Sequence, residues 1–400
     1  MATISSDEPI RLQGCYEGVL YGTIGRTLYV EDERTGSFHR RGTVPERYAN
    51  GSYSNRLTGN DYTRAVLQRL FGRVSTVTVH RVSDRVFVGT IGRSLLRSHD
   101  GGRSWQFCRS LPPTSPGFGV LPSAIETVDG TIYVGEYPLS PESAPGILVS
   151  HDRGISWNRV AVPGVRHIHS VQGDPFGGEI WVTTGDRDDE CWIGRLRDGS
   201  FERIGGGSQH WRAVELAFTP KEILWGMDCA YADRTHIYRL TRHELSNPPA
   251  VEPEAVHSLD GPVFFATTVE HAGDHWVVFS TAAEPDTDST GPDKADTLRT
   301  KIRRISVRQC VGGDRTGTSG RLARIVASSS RSGFTDWYEL RQYTRKRSIG
   351  DLVPGDTIPR ANAYVYLVSA DDRGIFLNPY NTDIGCGTIR RADLESLPTL

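Results

Sequence analysis

Short β-rich runs recur along this chain at nearly constant spacing. The runs VFVGTIG, IYVGEYP, IWVTTGD and ILWGMD place Gly89, Gly135, Gly185 and Gly226 at steps of 46, 50 and 41 residues. Between them lie further short apolar runs bounded by Gly, Asp and Pro, which is typical of strands joined by tight turns. A period of about 40 to 50 residues, carried by strands rather than helices, predicts a β-propeller.

Each repeat divides into four strands. In the fourth repeat HIHSVQ is the inner strand, followed by EIWVTTG, CWIGRL and the outer strand SFERIG. The first repeat shows three strands, so its inner strand comes from IRLQGCYE or from the other end of the chain. We therefore expect an all-β fold, a propeller of six or seven four-stranded blades, and favour seven. It forms one domain over residues 1–400, with long loop insertions around 284–300 and 310–321.

Two segments share a second pattern. SHDGGRSW (98–105) and SHDRGISW (150–157) both match Ser-x-Asp-x-Gly-x-Ser/Thr-Trp, the Asp-box, whose aspartate caps its own turn and whose tryptophan packs between strands. Over residues 19–228 the chain resembles the sialidase-like superfamily of BNR, or Asp-box, propellers. This resemblance implies the fold and leaves the activity open, because carriers of the box include glycosidases, lyases, binding receptors and assembly factors.

Composition limits the partners and the compartment. The net charge is −2, with 46 basic against 48 acidic residues, so no overall field favours nucleic acid or an anionic membrane. No apolar run approaches the ~18 residues of a membrane span, and the polar start MATISSDEPIRLQG lacks a signal-peptide core. We therefore expect a cytoplasmic protein that uses neither nucleic acid nor a membrane. The sequence does not indicate an oligomeric state.

The blade pattern sorts polar residues by face. An inner strand begins, and a second strand ends, on the same face of a propeller, where the loops converge on the axis as a funnel. The predicted funnel residues are Arg26, Arg93, Glu136, Tyr137, Arg166, His167, His169, Asp186, Gln209, Trp211, Arg212, Trp225, Asp228 and Tyr231. Strand alternation turns His167 and His169 to one side and Ile168 to the other.

This residue set predicts a site for an acidic glycan. Arginine binds carboxylates in bidentate fashion, as Arg26, Arg93 and Arg166 could. Sugar rings can stack on aromatic faces, here Trp211 and Trp225. The runs RHIH, WVTTGD, GSQHWRAV and LWGMD are also similar to a group of uncharacterised BNR-repeat proteins often found with glycan genes, which implies that this face is a site.

Two cleavage reactions fit the set. A glycosidase needs a carboxylate pair, or a tyrosine activated by a carboxylate, and Glu136, Tyr137, Asp186 and Asp228 could supply these groups. The Arg-Ile-Pro motif of sialidases has no match here. A uronate lyase needs a cation to neutralise the uronate carboxylate and a base to take the proton beside it. Here Arg212 would be the cation, His167 or His169 the base, and Tyr137 or Tyr231 the acid.

Two further alternatives stay open. Neither reaction requires a cofactor, although His167, His169 and Gln209 could hold a divalent metal, with histidine as a common ligand. The same funnel could also bind a glycan or a protein without turnover. The sequence thus predicts a carbohydrate-active enzyme for an acidic oligo- or polysaccharide, with a non-catalytic binding propeller as the alternative.

Overall fold

Seven antiparallel sheets follow one another along the chain in the computed structural model. It describes residues 3–4, 9–48, 77–113, 119–138, 144–230, 232, 234–246, 252–284, 322–347, 362–370 and 373–392. The first long strands of successive sheets pack side by side, and that of the last sheet contacts that of the first. The fold is therefore an all-β propeller, and of the two predicted blade numbers seven is confirmed.

The first four blades hold seventeen described strands. Blade one contains β1 (Thr3–Ile4), β2 (Arg11–Tyr16), β3 (Val19–Ile24), β4 (Thr27–Asp32) and β5 (Ser37–Thr43). Blade two contains β6 (Thr78–Arg81), β7 (Phe87–Ile91), β8 (Ser94–Ser98) and β9 (Gln106–Ser110). Blade three contains β10 (Ile125–Val128), β11 (Thr131–Gly135), β12 (Gly146–Ser150) and β13 (Asn158–Ala161). Blade four contains β14 (His167–Gly173), β15 (Ile180–Gly185), β16 (Trp192–Arg197) and β17 (Ser200–Gly206).

The last three blades complete the ring. Blade five contains β18 (Ala213–Phe218), β19 (Glu222–Met227), β20 (Thr235–Thr241) and β21 (Glu254–Leu259). Blade six contains β22 (Val263–His271), β23 (Asp274–Thr281), β24 (Leu322–Ser329) and β25 (Tyr338–Thr344). Blade seven contains β26 (Tyr364–Ser369), β27 (Ile375–Tyr380) and β28 (Arg390–Arg391). Short 3-10 turns lie at Glu46–Tyr48, Pro122–Ala124, Asp188–Glu190, Gln209–Trp211, Glu244–Ser246 and Ser330–Ser332.

The two ends of the chain close the ring together. β1 pairs with the outer strand β5, and β2 is the inner strand of blade one, so IRLQGCYE is the correct one of the two predicted sources. Asn378 on β27 accepts a hydrogen bond from the Leu12 N–H (2.9 Å) and donates to the Ile10 carbonyl (3.0 Å). These bonds satisfy backbone groups at the edge of β2 and join blade seven to blade one.

Apolar side chains fill each junction between neighbouring blades. Seven separate clusters of buried hydrophobic residues lie in the described chain, and each draws its members from two adjacent blades. The repeated glycines allow this packing: a Cβ on Gly135 would lie 2.6 Å from Ile168 Cγ2, and one on Gly226 would lie 2.3 Å from Val263 Cβ. At Gly135 and Gly226 the glycine therefore marks where the inner strand of the next blade approaches.

Both predicted capped turns form on the face opposite the funnel, between the third and fourth strands of blades two and three. Asp100 accepts hydrogen bonds from the Ser98 hydroxyl (2.9 Å) and the Ser104 N–H (2.9 Å). Asp152 accepts the equivalent bonds, and Trp105 is buried. In each turn the aspartate thus binds the neighbouring serines, and the tryptophan packs against apolar side chains.

Some expectations fall on other parts of the chain. The insertions predicted around 284–300 and 310–321 lie outside the described residues except for Glu284, and Tyr231 lies outside them as well. Within the described ranges, no helix has the length and apolarity needed to cross a membrane.

Candidate functional site

The start of β14 and the end of β15 place four polar residues of blade four at the funnel. Arg166 and His167 stand at the entry of β14, His169 follows on the same strand, and Asp186 comes directly after β15. His169 occupies a bulge, because Ile168 pairs with Thr184 while Ser170 pairs with Thr183. A bulge re-aims the side chain it carries. Here it turns His169 toward His167.

The two imidazoles face each other in the interior. Their Nε2 atoms lie 3.1 Å apart, and Nδ1 of His169 lies 2.9 Å from the carbonyl oxygen of Ala213 on the next inner strand. Since that carbonyl can only accept, Nδ1 of His169 carries the proton and its Nε2 presents a lone pair. The two residues are 1% and 3% exposed. Burial lowers the pKa of His167, so its neutral form is favoured.

Asp186 completes a triangle with the histidines. Its Oδ1 lies 3.4 Å from Nε2 of His167 and 3.6 Å from Nε2 of His169. Burial alone would raise the pKa of this carboxyl, but a hydrogen bond from His167 and the charge of Arg212 outweigh burial and hold the pKa well below its usual range. Asp186 is therefore ionised.

Guanidinium groups flank this carboxylate. Arg212 donates from Nη2 to Asp186 Oδ1 (3.0 Å) and from Nη1 to the Asp186 carbonyl (3.2 Å), and its Nε lies 3.4 Å from Asp228 Oδ2. Arg166 lies 3.5 Å from Asp186 and 3.5 Å from Glu190. The sequence analysis missed Glu190, which stands in the turn after β15 with nothing local to mark it.

Tyr137 covers the histidines from blade three. Its ring stacks on that of His167 with centroids 3.9 Å apart and planes inclined by 15°. Burial raises the pKa of Tyr137 well above its ordinary value, and the charges of Asp186 and Asp228 raise it further. The side chain is therefore a neutral phenol in a partly exposed position. We call Tyr137, Arg166, His167, His169, Asp186, Glu190, Arg212 and Asp228 the polar cluster.

Glu136 lies elsewhere. Its side chain is buried and accepts hydrogen bonds from the Gly146 N–H (2.9 Å) and from Nε and Nη2 of Arg159 (3.0 and 2.9 Å). Strand alternation explains the difference, because neighbouring residues such as Glu136 and Tyr137 point to opposite sides of an extended segment. The structure therefore gives Glu136 partners in its own blade rather than in the polar cluster.

Two predicted aromatic residues belong to the core. Trp211 and Trp225 are 3% and 0% exposed and stack on each other with centroids 5.3 Å apart. The predicted sugar-stacking surface does not form from these rings, because the inward face of β19 packs against the turn before β18. Gln209, beside them, donates to the Asp186 carbonyl (3.0 Å) and to Asp188 (2.8 Å). It supports the loop that carries Asp186.

Arg26 and Arg93 stand on the predicted face but have partners within their own blades. Arg26 donates to the Val44 carbonyl (2.7 Å) and lies 3.6 Å from Glu46. Arg93 donates to the Leu111 carbonyl (3.2 Å). The repeated GTIGR segment therefore holds the loop after the outer strand in each blade, and these contacts do not bring the two arginines into the polar cluster.

A second group on the same face was missed. The starts of β2, β22 and β26 and the end of β27 bring together Arg11, Phe265, Tyr364, Tyr366 and Tyr380, which we call the aromatic cluster. Arg11 donates to the Tyr366 hydroxyl (2.5 Å), and the rings of Phe265 and Tyr366 lie 4.5 Å apart. The alternation in YVY at 364–366 signalled inward-facing tyrosines, but no repeat pattern tied them to the funnel.

The structure changes the candidate metal ligands. Within the described residues, the histidine, cysteine and carboxylate side chains able to share an ion are His167, His169 and Asp186, whose ligand atoms all lie within 4.8 Å of one another. Gln209, the third ligand considered from sequence, bonds to the backbone of Asp186 instead. An aspartate thus takes the place expected for the amide.

Comparison with known proteins shows the fold. No family model matches the chain, and no curated protein matches it. Among solved structures, YCF48 from Cyanidioschyzon merolae is 11% identical, with TM-score 0.50, covering 97% of this chain and 98% of that one. The xyloglucanase of the GH74 family from Xanthomonas campestris is 12% identical, with TM-score 0.50, over 95% and 50%. An ancestral GH74 enzyme has TM-score 0.49 and 12% identity over 98% and 46%. This chain thus spans about half the length of the two GH74 structures. The likeness to the xyloglucanase shows a shared fold.

Proposed function

We propose that this protein is an enzyme that cleaves an acidic glycan by β-elimination at a uronate residue bound in the funnel. The observation that carries the proposal is that Arg212, Asp228 and Tyr137 lie together: a guanidinium, an acidic side chain and a phenol meet at one partly exposed place. These are the three groups that elimination beside a carboxylate requires.

Arg212 supplies the carboxylate site. Three of its five N–H groups face Asp186 and Asp228, which leaves two for a bound anion. Its side chain is 15% exposed, so the outer end of the guanidinium is reachable from the funnel. A cation beside the uronate carboxylate would stabilise the negative charge that develops when the neighbouring carbon loses its proton.

Asp228 and Tyr137 supply the proton transfers. The Asp228 carboxylate takes the proton from the carbon next to the uronate carboxylate. The electron pair of that C–H bond forms a C=C bond, and the glycosidic C–O bond breaks. Tyr137 gives its phenolic proton to the leaving oxygen, and proton transfer from Asp228 through water restores the phenol. The products are an unsaturated uronate and a new chain end, with no other reactant consumed.

The ion pairs favour elimination over hydrolysis. Hydrolysis by a carboxylate pair needs one carboxyl group in its protonated form to donate to the leaving oxygen. Asp186 and Asp228 both pair with Arg212, and Glu136 pairs with Arg159, so each of these three carboxyl groups already contacts a guanidinium. The proton donor left in the set is a phenol.

The remaining support concerns the substrate class. The aromatic cluster stands at the inner-strand entries of blades six, seven and one, on the same face as the polar cluster, and could pack against the sugar rings. The likeness to the xyloglucanase from Xanthomonas campestris agrees with a glycan substrate at the level of the fold.

The proposal is tested by incubating the purified protein with a panel of uronate-containing oligosaccharides. The ultraviolet absorbance of unsaturated uronate and the release of reducing ends are followed in parallel. We expect both signals with the wild type and with Tyr133→Phe, a tyrosine on the same blade outside the cluster, and loss of both with Tyr137→Phe. Glycan binding without either signal would show a binding propeller instead, and equal activity of Tyr137→Phe would remove the assigned acid.

A further inference from the structure

The triangle of His167, His169 and Asp186 has the dimensions of a metal site. Its three edges, measured between Nε2, Nε2 and Oδ1, are 3.1, 3.4 and 3.6 Å. A tetrahedral zinc ion with bonds of about 2.0–2.1 Å has ligand atoms about 3.3–3.4 Å apart. The three atoms therefore lie where one face of such a tetrahedron would put them.

The three facing atoms of the triangle have fewer protons than are needed to satisfy their lone pairs. Nδ1 of His169 donates a hydrogen bond to the Ala213 carbonyl, so Nε2 of this residue carries a lone pair. That lone pair faces the centre of the triangle, as Oδ1 of Asp186 does. Nε2 of His167, the atom that faces both acceptors, carries at most one proton to share between them. Three acceptor atoms facing one another are stabilised more completely by a divalent ion than by a single shared proton.

The surrounding groups hold the ligands in place. The Ala213 carbonyl fixes the tautomer and the orientation of His169, which is the arrangement usual for a metal-binding histidine. His167 has no hydrogen-bond partner for Nδ1 among the described residues, and its ring is held by stacking against Tyr137. Arg212 donates to the Asp186 carboxylate, and carboxylates that bind a metal are commonly held by such a hydrogen bond.

Local charge also permits a cation despite the two arginines. In the polar cluster three acidic residues, Asp186, Glu190 and Asp228, outnumber the guanidiniums of Arg166 and Arg212. The set therefore carries a net negative charge. A divalent ion would reverse its sign, which favours binding of an acidic ligand.

We infer that His167, His169 and Asp186 bind one zinc-like divalent cation, with a fourth position left for water or a bound ligand. Two nitrogens and one oxygen suit zinc and disfavour calcium and magnesium, which prefer all-oxygen sites. The inference concerns the same site as the proposed elimination but is measured by metal binding, so either can fail without the other.

The test uses the untagged full chain, stripped with a chelator and titrated with Zn²⁺ by calorimetry, with metal content measured after dialysis. We expect one equivalent in the wild type and a rise in the thermal unfolding midpoint on adding Zn²⁺. His169→Ala and Asp186→Asn should each weaken Zn²⁺ binding by at least about 10²-fold. Changing only a residue that hydrogen-bonds to a metal ligand already lowers metal affinity by about 10–100-fold. His99→Ala, an exposed histidine on the opposite face, is the matched control and should bind as the wild type does.

Folding of each variant is checked by near-ultraviolet circular dichroism, so that loss of metal in an unfolded protein is not counted. A wild type that takes up no stoichiometric Zn²⁺ would overturn the inference. Wild-type affinity in folded His169→Ala would overturn it as well.

Discussion

The Nη2 atom of Arg212 lies 3.0 Å from Oδ1 of Asp186, across the junction between blades four and five. The same guanidinium reaches Asp228 at 3.4 Å through Nε. One side chain thus positions the two acidic residues that end the second strands of neighbouring blades. The proposed chemistry depends on this arrangement, because it sets the cation beside the carboxylate assigned as base.

Arg212→Lys should keep the positive charge and lose the fork that holds both carboxylates. We expect kcat/KM on the best uronate substrate to fall by about 10²-fold or more, the cost typical of removing one preorganised donor. Steady-state kinetics measures this effect. Arg93→Lys, on the same face but bonded within its own blade, should stay near the wild-type value. Equal losses in both variants would argue against a special role for Arg212.

Gly185→Ala should disturb the site without removing any of its polar groups. A Cβ at this position would lie 2.9 Å from Cε1 of His169 and 3.3 Å from Cγ of Arg212, so one of these side chains must move. A displacement of this kind can cost about 10²-fold in rate. We expect activity to fall by that order while the protein stays folded. Full activity would mean that the positions of His169 and Arg212 matter little.

Glu136→Gln separates a structural carboxylate from a catalytic one. The Glu136 side chain is buried against Arg159 and the Gly146 N–H, so the variant should lose about 1–3 kcal/mol of unfolding free energy. Urea unfolding measures this loss. The folded variant should retain its activity, whereas Asp228→Asn should be inactive yet nearly as stable as the wild type. Loss of activity in Glu136→Gln without loss of stability would show that Glu136 takes part in catalysis.

The stability contributed by two buried glutamates should fall as the pH rises from about 5 to 8. Burial raises the pKa of Glu215 to about 8 and that of Glu126 to about 7, so the folded protein holds protons that the unfolded chain releases at lower pH. Their contribution is complete below the ordinary pKa of glutamate and is lost as the pH rises through these values. Glu215→Gln should remove its share of this loss, so the urea midpoint of the variant should fall less, or rise more, between pH 5 and 8 than that of the wild type. An unchanged slope would contradict the raised pKa.

The propeller and the part of the site around His167 and Asp186 could be predicted because both follow from features that repeat along the sequence. The glycines ending the second strands and the two capped turns repeat with the blades, and the strand boundaries around His167 and Asp186 follow from alternation and turn residues. The aromatic cluster has no such trace, since Arg11 and Tyr366 are 355 positions apart and meet only because the ring closes. Glu136 and Trp225 were assigned to the funnel by position along a strand, whereas their direction depended on packing between blades.

The most direct test of the reaction is mass spectrometry of the products formed in water labelled with oxygen-18. Elimination breaks the glycosidic bond without adding water, so the two fragments together should have the mass of the substrate. In products quenched before their reducing ends exchange oxygen with the solvent, neither fragment should carry the heavy isotope. This is the predicted result for the wild type, with no products from Tyr137→Phe. Fragments that together exceed the substrate by one water and carry heavy oxygen would show hydrolysis and contradict the account.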